Sequence, residues 1–333
     1  MESFSLPSSL PRQGAWRASF PLSTVGCAAG SGRPRSLPRE QVSWLLPDSP
    51  LFSYARPSTL EEALALLERY GEGANLLAGG TDLVVELRNR SRRPEIVIDL
   101  KRVAEIQPAI TLTGRSLTIT AATSMTDVQE NEHVRAHFPA LVDAAATVGS
   151  IQIRNRATLA GNICHASPAA DTAPALLVYD ATVNLTSARG TRTVKLEGFF
   201  VGPRHTALQM GEIVTSIELP LPRERRAAQF ARITRRRGVD LATISLCCMV
   251  EAGGRTRFAY AAVGPRPFVV ADESGVLADP SASDGAKDEA LRGLIAHASP
   301  ISDVRGSREY RAAMLLVMSR RALRACIEKL RAA

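Results

Sequence analysis

From residue 51 onward, apolar and polar positions follow two rhythms. Leu60, Ala63, Leu64 and Leu67 recur at intervals of three and four, which gives a helix one apolar face. Ser58-Thr59-Leu60-Glu61 ahead of them reads as a capping box, with the serine hydroxyl taking an orphan N–H and the glutamate reaching back. After Gly71 and Gly73, a short apolar run over 75–78 predicts a strand, two glycines follow, and a helical pattern fills 83–90. Residues 95–100, Glu-Ile-Val-Ile-Asp-Leu, predict another buried strand. The unit is α+β, with a glycine loop between strand and helix.

The middle of the chain repeats this logic. Residues 116–122 alternate as a strand, Thr126 and Gln129 bracket a second cap, and a helix over 139–148 ends at Gly149. A loop is expected over 150–173. Residues 182–185 and 191–194 then form a hairpin about Arg189 and Gly190. A last strand over 212–219 stops at Pro220 and Pro222, where a second domain begins. Residues 223–240 carry seven arginines against two acids, before apolar runs over 241–250 and 258–263. That pattern predicts antiparallel strands behind a basic loop. From Ser307 a helix is expected, with Tyr310, Ala313, Met314 and Val317 on one face.

Composition narrows the function classes. A chain of 333 residues, 45% hydrophobic, can bury a sizeable core. Its net charge of +8 is spread along the sequence rather than gathered among aromatic residues, which argues against nucleic acid as partner. No apolar run approaches the ~20 residues of a membrane span. Cys27, Cys164, Cys247, Cys248 and Cys326 form no C-x-x-C pair, so no iron–sulfur ligation is expected here. Their odd number and irregular spacing fit a reducing cytoplasm better than a disulfide scaffold. Residues 1–50 hold ten Ser, seven Pro and four Gly without a hydrophobic period, so 1–47 is read as a disordered extension or a start codon placed too far upstream.

Two segments carry candidate chemistry. Leu77-Ala78-Gly79-Gly80-Thr81-Asp82 offers what a diphosphate needs: two glycines that let backbone N–H groups approach, a hydroxyl, and a helix start behind them. Taken alone, the same residues also suit an ordinary tight turn. The stretch over 151–171 is more specific. Thr158, Asn162, Ser167 and Asp171 place hydrogen-bonding groups among small residues, and Ala160-Gly161 allows a flat ring or phosphate near the backbone.

Together the Ala-Gly-Gly-Thr-Asp loop, Ile-Arg-Asn-Arg-x-Thr-Leu-Ala-Gly-Asn over 153–162 and Ala-Ser-Pro-x-x-Asp over 166–171 resemble the FAD-binding (medium) subunit of the xanthine dehydrogenase and carbon monoxide dehydrogenase family of molybdenum hydroxylases. The similarity runs on through Gly211-Glu212-Ile213-Val214, Thr234-Arg235-Arg236-Arg237 and Asp303-Val304-Arg305-Gly306-Ser307-x-x-Tyr310-Arg311, and covers about 48–331. It implies an α+β fold: a FAD-binding domain of the vanillyl-alcohol-oxidase (PCMH) type over 48–222, with subdomains about 48–105 and 106–222, then a small α/β C-terminal domain over 223–333. By the same resemblance, Leu77, Ala78, Gly79, Gly80, Thr81 and Asp82 hold the diphosphate of a non-covalent FAD, and Val148 lies near the adenine. Thr158, Gly161, Asn162, His165 and Asp171 line the rest, Val214 packs on it, and Arg232 stands beside it as a cation. His165 and Arg232 depart from the Thr or Asn and the Lys frequent in the family; the first keeps hydrogen bonding but changes the electrostatics expected near the flavin.

The resemblance places no catalytic residue and no metal ligand on this chain. Molybdopterin and [2Fe–2S] clusters are expected on a large and a small partner subunit, in a cytoplasmic dimer of heterotrimers. A free-standing flavin oxidase of the same fold is the rival reading, kept open by Cys164 and His165 as residues able to bond flavin covalently. A non-enzymatic interaction module is the third. The substrate of the complex and its terminal acceptor, NAD, quinone or oxygen, are not legible.

Overall fold

The computed structural model describes residues 52–332, so the extension expected over 1–47 lies outside the described residues. The chain begins with β1 (Ser53–Ala55), α1 (Leu60–Tyr70), β2 (Ala74–Leu77), α2 (Leu83–Arg88) and β3 (Ile96–Asp99). The three strands form a parallel sheet in the order β1-β3-β2. α1 buries Ala63, Leu64 and Leu67, the face its spacing predicts. Its cap sits one residue later than expected. Thr59 is extended and accepts the Glu62 N–H at 3.2 Å, while Glu62 accepts the Ser58 N–H at 2.8 Å. Glu62, not Glu61, therefore occupies the third helical position.

The second layer holds β4 (Ile110–Thr113) and β5 (Ser116–Thr120), then the helices α3 (Met125–Glu130), α4 (Glu132–His137), α5 (Pro139–Ala146), α6 (Ile151–Arg154), α7 (Leu159–His165) and α8 (Thr172–Val178). It continues through β6 (Thr182–Ser187), β7 (Gly190–Lys195), α9 (Leu196–Phe199), the small hairpin β8 (Phe200–Gly202) and β9 (His205–Thr206), and β10 (Ile213–Pro220). An antiparallel sheet of order β4-β5-β10-β6-β7 results, with the expected hairpin intact. Two expectations are corrected. The cap of α3 is Ser124 with Asp127, a reciprocal capping box, and the Thr126 hydroxyl bonds Asn155 Oδ1 instead. The loop expected over 150–173 is largely helical, because Ser150 and Thr158 each cap a short helix and all seven residues of α8 are buried. A helix buried all round shows no amphipathic period for a sequence reading to find.

The chain ends in a meander of β11 (Arg226–Ile233), β12 (Ile244–Glu251), β13 (Thr256–Ala261) and β14 (Phe268–Asp272), with α10 (Asp284–Ile295) and α11 (Arg308–Ala332). Both faces of this sheet are covered. Cys247 and Met249 join the core shared with α5 and α8, while Leu246, Cys248 and Val250 join the core under α11. That two-sided burial explains the unbroken apolar run over 246–250. The face of α11 differs from expectation: Arg311, Leu315, Met318, Ala322 and Cys326 point inward, and Tyr310 is 45% exposed. A charged residue leads the buried stripe, so a search for apolar periodicity selects the wrong side.

Arginines from the meander grip α8 at both ends. Arg232 pairs with Asp171 before its first turn, and Arg257 bonds Val178 O and Asp180 after its last. Arg226 lies over the Phe138 and Tyr179 rings at 5.2 and 4.7 Å. A cation at a helix C-terminus offsets the exposed carbonyl dipoles there. No helix among the described residues is long and apolar enough to cross a membrane.

Candidate cofactor site

The glycine loop leaves the C-terminal end of β2, where Leu77 pairs with Asp99 of the central strand. Gly80 is left-handed at φ 79°, as the turn into α2 requires. Gly79 is required for a different reason. A Cβ there would stand 2.1 Å from Arg156 O and 2.9 Å from Ala157 Cα. The two segments singled out in the sequence thus meet backbone against backbone. Among the described residues, no hydrogen bond to another backbone carbonyl occupies the N–H groups of Gly80, Thr81 and Asp82, which leaves them available to an anion.

A third segment, missed in the sequence, completes this end of the site. Met125 N–H donates to Ala157 O at 2.8 Å, Leu159 N–H to Thr123 O at 3.2 Å, and Ser124 bridges Thr158. Ala78, Gly79, Ser124, Asp127, Asn155 and Thr158 line one cleft of about 360 Å³ together with Leu100, Lys101 and 106–108. That volume lies within the roughly 300–1,000 Å³ of cofactor clefts. The Ser-x-x-Asp box at 124–127 was the available signal. Lys101 binds Asp99 at 2.7 Å; although burial raises the Asp99 carboxyl, Lys101 and Tyr54 hold it below the usual range.

The remaining candidates gather around α7 and α8. Thr158 caps α7 by accepting the Gly161 N–H at 2.9 Å, so Gly161 has a local role: its Cβ would press on Thr158 Oγ1 at 2.8 Å. Asn162 Oδ1 accepts the Thr172 hydroxyl at 2.6 Å, next to Asp171. Val148 is half-buried against the same core, and Val214 is buried beside a bulge in β10. His165 ends α7 half-buried, and the left-handed Ala166 that follows accepts the Arg204 N–H at 2.9 Å.

Asp171 is the most unusual group. Arg232 Nη1 donates to its Oδ2 at 2.5 Å, while Oδ1 is buried with no hydrogen-bond partner. The Thr147 and Ser245 hydroxyls approach the carboxylate, yet neither reaches bonding geometry with Oδ1, and Ser245 Oγ is itself buried and unbonded. Burial pushes the Asp171 carboxyl up to about 6, against the pull of Arg232. Cys164 is half-buried as a residue, but its sulfur faces the core, and that burial raises the thiol to about 12. A thiol held neutral is a poor nucleophile.

The basic run occupies the β11–β12 hairpin. Arg235 pairs with Asp240 at 3.2 Å and Arg236 donates to Val239 O at 3.0 Å, whereas Arg237 is exposed without an ion pair among the described residues.

Comparison with known proteins places the chain in a family. The family described as FAD binding domain in molybdopterin dehydrogenase matches residues 50–222, and CO dehydrogenase flavoprotein C-terminal domain matches 229–326. The chain belongs to this family of flavoproteins. A glyceraldehyde dehydrogenase medium chain of Sulfolobus acidocaldarius is 34% identical over 83% of this chain and 98% of its own length. A putative xanthine dehydrogenase FAD-binding subunit of Escherichia coli is 30% identical over 81% and 94%. Carbon monoxide dehydrogenase of Hydrogenophaga pseudoflava, solved without the Mo-pyranopterin moiety, superposes with a TM-score of 0.76 at 32% identity, covering 83% of this chain and 96% of that one. This molybdopterin-dehydrogenase flavoprotein is therefore an oxidoreductase subunit with FAD as its cofactor.

Proposed function

We propose that this chain is the electron-transfer subunit of a molybdenum hydroxylase, receiving electrons from [2Fe–2S] clusters on a small subunit and releasing them to a terminal acceptor. A large subunit would carry molybdopterin, in a cytoplasmic dimer of heterotrimers, with chemistry of the xanthine or carbon monoxide dehydrogenase kind. The observation that carries this reading is the junction at Gly79, where the glycine loop, with free N–H groups just beyond it, meets the distant 155–158 segment at a polar cleft. The relatives' designations as medium chain and FAD-binding subunit support the multi-subunit setting.

The residues present fit FAD. Free N–H groups at 80–82 suit its diphosphate, Thr158 offers a hydroxyl in the cleft that Ala78 and Gly79 line, and the unbonded Asp171 Oδ1 and Ser245 Oγ are buried polar atoms awaiting a partner. Bound FAD can take electrons singly and give them up in pairs. The protein's part is to hold and shield it. Asp171, buried with Arg232, provides a hydrogen-bonding site whose protonation changes near pH 6, and Arg232 supplies a fixed positive charge. The neutral Cys164 thiol does not favour the free-standing oxidase with a covalent flavin.

The deciding experiment uses the purified chain loaded with FAD. Purines, aldehydes and carbon monoxide leave its flavin absorbance unchanged, and adding the iron–sulfur and molybdenum subunits restores bleaching by substrate. Substrate-driven bleaching in the single chain would establish the oxidase reading instead.

A further inference from the structure

Arg311 is far from Asp171 in sequence, yet its guanidinium binds the backbone of segments that pack around Asp171. The residue is 2% exposed on α11, at a position where the helix otherwise buries mainly apolar side chains. Nη1 donates to Thr243 O and to Ala262 O, both at 2.6 Å, and Nη2 donates to Asp303 Oδ1 at 2.7 Å. A buried guanidinium is tolerated only with such partners, and its planar fork sets their relative positions.

Each carbonyl leads to Asp171. Ala262 is left-handed, with φ 63°, a conformation that non-glycine residues rarely adopt and that surrounding bonds must enforce. Its carbonyl is held by Arg311 while its N–H donates to Pro168 O at 2.7 Å, three residues before Asp171. Thr243 immediately precedes β12: its N–H donates to Ile233 O at 2.8 Å, and the ladder runs from there through Ile233 with Ile244 to Arg232 with Ser245. One guanidinium thus anchors the loop that carries Asp171 and the strands that carry its partner Arg232 and its neighbour Ser245.

We propose that Arg311 is a positioning residue for the cofactor site, fixing Asp171 against Arg232 and Ser245 through Ala262–Pro168 on one side and Thr243 on the other. This rests on the reading of Asp171 as a cofactor contact. It explains why a charge, rather than a leucine, leads the buried stripe of α11.

The test uses the full chain and three readouts: FAD dissociation constant by fluorescence titration, visible circular dichroism of bound FAD, and apoprotein melting temperature. Arg311→Lys keeps the charge but loses the fork. It weakens FAD binding about tenfold, the scale on which outer-shell partners act, and alters the visible dichroism. Asp303→Asn, which loosens the fork while leaving Arg311 in place, shifts both readouts the same way by less, and carries the test alone if Arg311→Lys does not fold. In an Asp171→Ala background the further effect of Arg311→Lys shrinks to below about twofold, since both changes act on one contact. Unchanged affinity and dichroism in Arg311→Lys and Asp303→Asn, or a full tenfold effect in the Asp171→Ala background, would overturn the proposal. Asp171→Ala that binds FAD as tightly as the parent would overturn the underlying reading of Asp171, and the positioning role with it.

Discussion

Arg232 Nη1 stands 2.5 Å from Asp171 Oδ2, joining the C-terminal meander to the residue that starts a wholly buried helix. The pair spans 61 residues of sequence and leaves one carboxylate oxygen unbonded, a combination expected where a ligand completes the set.

This geometry gives a pH dependence with a definite sign. The Asp171 carboxyl is raised to about 6 in the folded apoprotein, above the ~3.9 of an unfolded chain. Its contribution to stability is therefore fully present below about pH 4 and is lost as pH rises through about 6. The loss is on the order of 2–3 kcal/mol. Urea unfolding between pH 4 and 7.5 should show it in the parent apoprotein and not in Asp171→Asn. Equal pH slopes in both proteins would refute the assignment.

Removing the arginine alone should be more severe. Arg232→Met leaves a buried carboxylate without its cation, at a cost of roughly 3–5 kcal/mol near neutral pH. Lowering the pH to about 5 should recover part of that loss, because Asp171 can then take a proton. A melting temperature that falls equally at both pH values would show that packing, not charge, is lost.

Two glycines separate junction from cap. Gly79→Ala drives a methyl group into Arg156 O, a backbone atom, and should cost about 1–3 kcal/mol together with most of the bound FAD. Gly161→Ala meets only the Thr158 hydroxyl, and the ~1 kcal/mol gained by removing a helix glycine should offset the weakened cap. Melting temperature and flavin content, measured side by side, check the contrast.

The flavin should leave the polypeptide on acid denaturation, and Cys164→Ser should bind the same amount of FAD, because burial holds that thiol neutral. Yellow precipitate after acid treatment would demonstrate a covalent link.

Of the three hairpin arginines, Arg237 has the charge most available to a partner, since Arg235 and Arg236 are engaged locally. Arg237→Gln should slow reduction by the iron–sulfur subunit at low salt and match the parent near 0.5 M salt, where screening removes steering. Stopped-flow rates across salt concentrations measure this directly. A rate deficit independent of salt would place Arg237 outside the contact.

Local signals were legible in the chain wherever a residue's role depends on its neighbours in sequence. The glycine loop, the apolar face of α1, the hairpin at Gly190 and the strands of the meander all follow from spacing and turn chemistry. The motifs at 77–82 and 153–171 were specific enough to indicate the family and FAD. Cap positions slipped where two adjacent residues could serve, as at Ser58 and Thr59, because only backbone dihedrals choose between them. The tertiary structure alone decided what lies between distant segments. It brought Gly79 onto Arg156, inserted 121–127 beside Thr158, and turned Arg311 inward toward two carbonyls. Helix α8 was invisible for a related reason. Its burial on every side comes from α5, α7, α9 and the strands of the meander, so its own sequence holds no contrast between an inner and an outer face.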